Sequence, residues 1–379
     1  MSAVNGSFVV DGAALKTAVK YAARQIAGRP VTPIHACLRC TVNGEVLAVA
    51  GLNENTTAVA EAVVDNHAGV SGSFVVAGRL LSALVDTFPA GPVRVEQGGG
   101  PAVAMTAGRT AVTLPLMPVR DFPELAVPAA PIGSVDAVVF ADAVKRVGVA
   151  AERDTDKPPA LRSVHLRFDP GGSLTVSATD RYQAGRQVVD WSPGPQAGGS
   201  CLVFAAGLLD AVAEMSGTLE VGLSGGRFSM RDDRRTLVSR TVDMSTFPAP
   251  QLDQGFAADL SATAIVSAAA LGEPLRTLRS FHDDKNTMKL RVEFAPGEMR
   301  VSVAGQSGGG ASVVDVDYNG PAAVMFVNAG RLQGAVGVAA DDKVRLLFEP
   351  GSYKPIMVML PGVESWRHLV MPIRDLGGS

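Results

Sequence analysis

Cysteine is scarce: Cys37, Cys40 and Cys201 are the only three in 379 residues. So sparse and odd a set excludes a disulfide framework and fits a reducing compartment. Cys37-Leu38-Arg39-Cys40 has the spacing of half a zinc site, but no second CxxC or spaced histidine pair follows, and in a strand the two side chains leave on opposite faces. No metal site is expected. Long apolar runs are missing too: nothing nears the roughly 18 residues a membrane-crossing helix needs. The start of the chain lacks the basic stretch, apolar core and cleavage site of a secretory signal, so a cytoplasmic protein without a membrane partner is predicted. No P-loop, dinucleotide fingerprint or paired-carboxylate site stands out, and no cofactor is expected. Gly305-Gln306-Ser307-Gly308-Gly309 matches a nucleophile-elbow string, yet it joins alternating strands with no helix after it, so it reads as a hairpin loop. Charge of either sign is not in large excess: the net value is −3, which argues against a generally basic nucleic-acid coat but allows a local basic surface.

What is present is repetition. Gly6-Ser7-Phe8-Val9-Val10-Asp11-Gly12 returns 66 residues later as Gly72-Ser73-Phe74-Val75-Val76-Ala77-Gly78, each copy leading into an apolar helical pattern. Phe122-Pro123 and Phe247-Pro248 lie 125 residues apart inside proline-rich segments, 121–133 and 246–255, that interrupt strand alternation. Leu47-x-Val49, Leu174-x-Val176 and Met299-x-Val301 recur at similar depth in each third. Leu116-Met117-Pro118-Val119-Arg120-Asp121 is echoed by Val370-Met371-Pro372-Ile373-Arg374-Asp375. With 47% hydrophobic composition the chain can bury several cores. The periods divide it into three similar domains, 1–126, 127–250 and 251–379. Each is two half-repeats of strand, helix and further strands, an α+β architecture with sheets outside and helices packed on one side. In the first helix Asp11 is the expected N-cap, and Leu15, Ala18, Val19, Ala22 and Ile26 share the apolar face.

Lys16, Lys20 and Arg24 follow at i, i+4 and i+8, a narrow stripe flanking that apolar seam. Lys145 and Arg146 recur in the second third, and Arg79 and Arg331 near the starts of later repeat helices. One such stripe would read as a solvated face; its recurrence predicts a cationic lining that meets phosphate without reading bases. The segment 208–214, with Asp210 and Glu214, should leave a gap in it.

Ala178-Thr179-Asp180-Arg181-Tyr182, the two Phe-Pro junctions and the Val370-Met371-Pro372-Ile373-Arg374 terminus together resemble the beta sliding clamp of bacterial DNA polymerase III, and the likeness spans all three domains, with an actinobacterial flavour. The resemblance implies a head-to-tail homodimeric ring whose helices line a channel for duplex DNA. It implies a nucleoid-associated processivity factor that is not itself an enzyme. Such clamps are opened by an ATP-driven loader and hold the replicative polymerase and repair proteins through short linear peptides. The matching peptide pocket takes Leu161, Thr179, Arg181, Tyr182, Gln183 and Ala184 from the second domain, Pro248 and Leu252 from the junction, and Leu369, Val370, Met371, Pro372, Ile373 and Arg374 from the terminus. Aliphatic and methionine walls of this kind suit leucine or phenylalanine anchors. Gln183-Ala184 departs from the family's cation and larger aliphatic, removing a charge and shortening a wall. This leaves a second reading open: a divergent clamp paralogue acting as a peptide-binding scaffold with altered partner or inhibitor preference. For the ring contact the resemblance pairs Val112 and Leu114 with Leu278 and Phe281, near a helical pattern that Pro274 is expected to interrupt.

Overall fold

The computed structural model describes residues 5–26, 30, 32–280, 288–305, 308–339 and 342–374. Six strand–helix modules recur: Asn5–Asp11 into α1 (Gly12–Ala23), Gly72–Ala77 into α2 (Gly78–Thr87), Pro131–Asp136 into α3 (Ala137–Gly148), Gly199–Phe204 into α4 (Ala205–Val212), Ala262–Ser267 into α6 (Ala268–Arg279) and Ala323–Asn328 into α7 (Ala329–Gly337). Between the fourth and fifth modules lies α5 (Ala249–Phe256), so the second junction folds as a helix rather than an extended linker. The strand-to-helix turn is written into the repeat. Asp11 Oδ1 accepts from Ala13 and Ala14 N–H at 3.0 and 2.9 Å, and Asp136 Oδ1 caps Val138 and Val139 at 2.9 and 3.0 Å. Ser267 and Asn328 cap α6 and α7. The repeated glycines also have a backbone reason: Gly6 and Gly72 sit at φ +131° and +140°, where L side chains are strained.

Contacts gather the chain into two compact units, residues 1–141 with 191–241 and residues 142–190 with 242–379, so the middle third contributes to both. Unit 1 holds a 13-stranded antiparallel sheet. Within it Arg235–Arg240 pairs with Thr56–Asp65, which also pairs with Val46–Leu52 and Asn5–Asp11. α1 lays Leu15, Ala18, Val19, Tyr21 and Ala22 against Val46–Leu52 and Thr56–Asp65. Burying an aliphatic side chain of this kind contributes about 1.5–3 kcal/mol.

In unit 2, Ser173–Thr179 pairs with Gln183–Asp190, which pairs with Val363–Val370 and through it Ile356–Leu360. A second, four-stranded sheet orders Gly308–Asp315, Glu298–Gly305, Lys289–Ala295 and Ala323–Asn328. The nucleophile-elbow string falls between two paired strands, Gly305 facing Gly308, with Gln306 and Ser307 outside the described residues. α6 does not break at Pro274. Leu271, Leu275 and Leu278 are all buried, and this apolar face holds the helix together despite the donor that proline withdraws. Cys37, Cys40 and Cys201 are buried free thiols, and burial pushes Cys40 and Cys201 up to about 12. Among the described residues no cluster of His, Cys, Asp or Glu could hold a metal, and no helix is long and apolar enough to cross a membrane.

Candidate functional site

A tight reversal in unit 2 sets the geometry. Strand Ser173–Thr179 turns back through Asp180, Arg181 and Tyr182, and Arg181, at φ 81°, is the one non-glycine residue in the left-handed region among the described residues. Side chains fix that conformation. Arg181 N–H donates to Thr179 Oγ1 at 3.0 Å, and Asp180 Oδ1 accepts from the Tyr182 and Gln183 N–H groups, both at 2.8 Å. Asp180 Oδ2 takes Gln183 Nε2 at 3.1 Å and Arg331 Nε at 2.9 Å. This carboxylate, 7% exposed, thus orders the turn, the side chain beneath it and the cation beside it.

The C-terminal segment is laid against the turn by strand pairing. Gln183 faces Val370 and Ala184 faces Leu369. The main chain then continues so that Met371 N–H donates to Tyr182 O at 2.9 Å and Ile373 N–H to Phe326 O at 2.7 Å. The 3-10 turn Pro159–Arg162, carrying Leu161, packs on Ser173–Thr179, and α5, carrying Leu252, packs on Val363–Val370. A Cβ on Gly255 of α5 would lie 3.0 Å from Leu369 Cδ1, so that approach leaves little room for a side chain.

Of the fourteen residues expected in one pocket, strand pairing and hydrogen bonds bring Thr179, Arg181, Tyr182, Gln183, Ala184, Leu369, Val370 and Met371 together, with Leu161 and Leu252 on elements packed against these strands, and this neighbourhood is graded by burial. Leu161, Thr179, Gln183, Ala184, Leu252, Leu369 and Val370 are buried. Pro248, Pro372 and Ile373 are half-buried, while Arg181, Tyr182 and Met371 form the exposed rim, and Arg374, also exposed, has its guanidinium 5.4 Å over the Tyr353 ring. Tyr182 is 60% exposed and Met371 38%, an unusual pair of large apolar groups side by side on a surface. Gln183 is not an open gap where a cation is missing: its amide bonds Asp180, the Val149 carbonyl at 3.2 Å and His368 Nε2 at 3.2 Å. Full burial holds the His368 imidazole neutral, its pKa pushed down to about 3.

Arg331, grouped by sequence with the cationic helix faces, has its guanidinium on the rim, 4.7 Å over the Tyr182 ring and paired to Asp180. The sequence passed over Asp180 as a site residue. An Asp two residues before the peptide groups it caps is an Asx-turn signature, and that signal was available.

In unit 1, α1 packs on α2 and the stripe lies at their side. Lys16 Nζ is 3.2 Å from Asp86, and Lys20 pairs with the same carboxylate. Hydrogen bonds from Lys20 and Lys16 hold the Asp86 carboxyl below its usual range. Arg24 pairs with Glu214 at 2.6 Å, so the acidic stretch after α4 neutralises the end of the stripe rather than only interrupting it. Arg79 lines a cleft with Lys20 and Asp86. On α3 Lys145 is exposed and Arg146 lies 3.6 Å from Asp142. These pairs are exposed to solvent and so only weakly held.

The expected ring-contact residues do not all reach a surface. Thr110–Pro115 ends its sheet order as an edge strand, with Val112 half-buried. Leu114 and Leu278, at 2% and 3% exposure, are instead core residues of their own units, because strand alternation and the apolar seam of α6 turn them inward. Phe281 lies outside the described residues.

The family model described as the DNA polymerase III beta subunit, N-terminal domain, matches residues 7–126. The beta sliding clamp of Micrococcus luteus is 32% identical over 306 residues, covering 77% of this chain and 93% of that protein. The beta sliding clamp of Streptomyces coelicolor is 26% identical over 383 residues, covering 97% and 99%. In fold, the crystal structure of the DNA polymerase III beta subunit from Thermotoga maritima superposes with a TM-score of 0.86 at 20% identity, covering 97% of this chain and 99% of that one.

Proposed function

The chain belongs to the beta sliding clamp family of bacterial DNA polymerase III, and from that membership we propose that two copies close head to tail into a ring around duplex DNA. The ring tethers the replicative polymerase and other DNA-processing proteins and performs no catalysis itself. Each copy would comprise three domains, 1–126, 127–250 and 251–379, and would be placed on DNA by an ATP-driven loader in the cytoplasm. Lys16, Lys20, Arg24, Arg79, Lys145 and Arg146 would face phosphate, giving weak, sequence-independent and salt-sensitive contacts suited to sliding.

Partners would dock on the Tyr182–Met371 rim by a short linear peptide. The observation that carries this reading is the C-terminal segment bonded onto the 179–183 turn, with Tyr182 and Met371 exposed and the neighbouring Leu161, Ala184, Leu252 and Leu369 buried. A flexible thioether beside an aromatic ring forms an adaptable apolar seat. The test is primer extension by the host's polymerase on a long single-primed template, with loader and this protein. Tyr182→Ala with Met371→Ala should shorten products at least tenfold while leaving the fold intact. Unchanged product length would remove the rim from partner binding.

A further inference from the structure

We propose that unit 1 carries a second docking cleft, built on the same repeat as the unit 2 groove and selective for a short extended peptide that pairs an aliphatic side chain with a carboxylate. The inference borrows its geometry from the peptide reading of the unit 2 groove. Hydrogen bonds fix the correspondence. Asn53 Oδ1 accepts from Asn55 and Thr56 N–H, both at 2.9 Å, as Asp180 does from Tyr182 and Gln183. Arg240 N–H donates to Asn55 O at 2.9 Å, as Met371 N–H does to Tyr182 O. Thr57 faces Val238 as Ala184 faces Leu369. His35 and Leu161 hold the third position of the 3-10 turns Pro33–Ala36 and Pro159–Arg162. Pro123 follows Phe122 as Pro248 follows Phe247. The unit 1 members of these pairs line one cleft of about 390 Å³, within the size range of ligand pockets.

Its chemistry differs from that of the unit 2 groove. Leu52, Leu125, Val127 and Val238 supply an aliphatic wall, and Val127 is 70% exposed. The segment 123–128 lies outside any helix or strand and makes no backbone–backbone hydrogen bonds among the described residues, which leaves main-chain groups there to bond a peptide. Arg240 stands where unit 2 has Met371, and Arg227 lies directly across from it in the strand register. Two like charges opposite each other on an antiparallel pair repel. Neither arginine has an ion pair among the described residues, although Glu54 and Glu124 line the same cleft. A ligand carboxylate placed between the guanidinium groups relieves the repulsion and gains charge-assisted hydrogen bonds.

The test is methyl NMR on the whole chain with labelled Leu and Val, titrated with acetyl-Leu-Asp-Leu-amide, its Asn counterpart, and acetyl-Leu-Asn-Leu with a free carboxyl end. Shifts at Leu52, Leu125, Val127 and Val238 are expected with either carboxylate source, and binding about tenfold weaker with the uncharged Asn amide. The stronger of the two acids tells whether a side chain or a chain end is preferred. Arg227→Gln with Arg240→Gln should abolish those shifts without lowering the melting temperature, since it removes a repulsion. Tyr182→Ala with Met371→Ala should leave them unchanged, which separates this cleft from the unit 2 groove. Shifts confined to Leu161 and Leu369, or persisting in the Arg227/Arg240 variant, would overturn the proposal.

Discussion

Asp180→Ala is expected to be among the most damaging single changes in unit 2, and Asp180→Asn a less damaging one. The carboxylate accepts four hydrogen bonds, from two backbone N–H groups, Gln183 Nε2 and Arg331 Nε. Alanine strands the buried Gln183 N–H and leaves Arg331 without its counter-ion while Arg181 stays in a strained conformation. A stranded buried donor costs about 1–3 kcal/mol and a broken buried pair about 3–5 kcal/mol; these overlap rather than add, so a total of about 3–5 kcal/mol is expected. Asparagine keeps the Oδ1 acceptor. Unit 1 shows that this suffices for the caps, since Asn53 makes both at 2.9 Å. In place of Oδ2 the asparagine at 180 presents Nδ2, a donor, so the bonds from Gln183 Nε2 and Arg331 Nε are both lost along with the charge match; Gln183 Nε2 keeps the Val149 carbonyl and Arg331 is 25% exposed, so the loss should be about 1–3 kcal/mol. The assay is urea unfolding followed by Trp366, fully buried in unit 2, in a Trp191→Phe background that silences the unit 1 reporter. The alanine midpoint should fall by about 1 M or more. An alanine variant within about 1 kcal/mol of the parent, or an asparagine variant equally damaged, would refute the account of the turn.

Lys20→Glu with Arg24→Glu should weaken DNA engagement and reduce the slope of log affinity against log salt by about 2, with the urea midpoint little changed because both ion pairs are exposed; an unchanged slope removes the stripe from the DNA face. His368 is neutral when folded, with its pKa depressed to about 3, whereas in the unfolded chain it takes up a proton near its ordinary value. Its contribution is therefore present above about pH 6.5 and lost as pH falls toward 3, reaching about 2 kcal/mol by pH 5. His368→Gln should shrink the pH 7.5-to-5 difference in urea midpoint, and an unaltered difference would show that the ring titrates normally. Leu278→Ala should cost about 2–5 kcal/mol as a core truncation, seen in the same urea assay; a change in self-association with no loss of stability would return Leu278 to a subunit contact.

Local rules made much of the fold legible. The Gly-Ser-Phe-Val-Val repeat announced strand–helix modules because its glycine is a backbone requirement, and Asp11 caps α1 with Leu15, Ala18, Val19 and Ala22 buried as periodicity dictates, whereas Ile26 falls beyond the helix end at Ala23 and is half-buried. What escaped were features that depend on tertiary neighbours. Leu114 and Leu278 looked available for a partner until burial turned them inward. Pro274 looked like a helix stop until a fully packed face carried α6 through it. Likewise, Arg331 shares a position near a helix start with Arg79, and nothing local to it reveals an Asp 151 residues earlier as its counter-ion. The neighbourhood of the 179–183 turn and the terminal strand was visible through the Ala-Thr-Asp and Met-Pro strings. Its division into buried floor and exposed rim was not, because strand register assigns the tiers.

The most direct measurement of the central claim is retention on a nicked circular plasmid after loading, followed through linearisation by a single cut. A protein that surrounds DNA stays on the circle through gel filtration at moderate salt and leaves within minutes once ends exist. Equal retention on circular and linear DNA, or equal loss from both, would contradict encirclement.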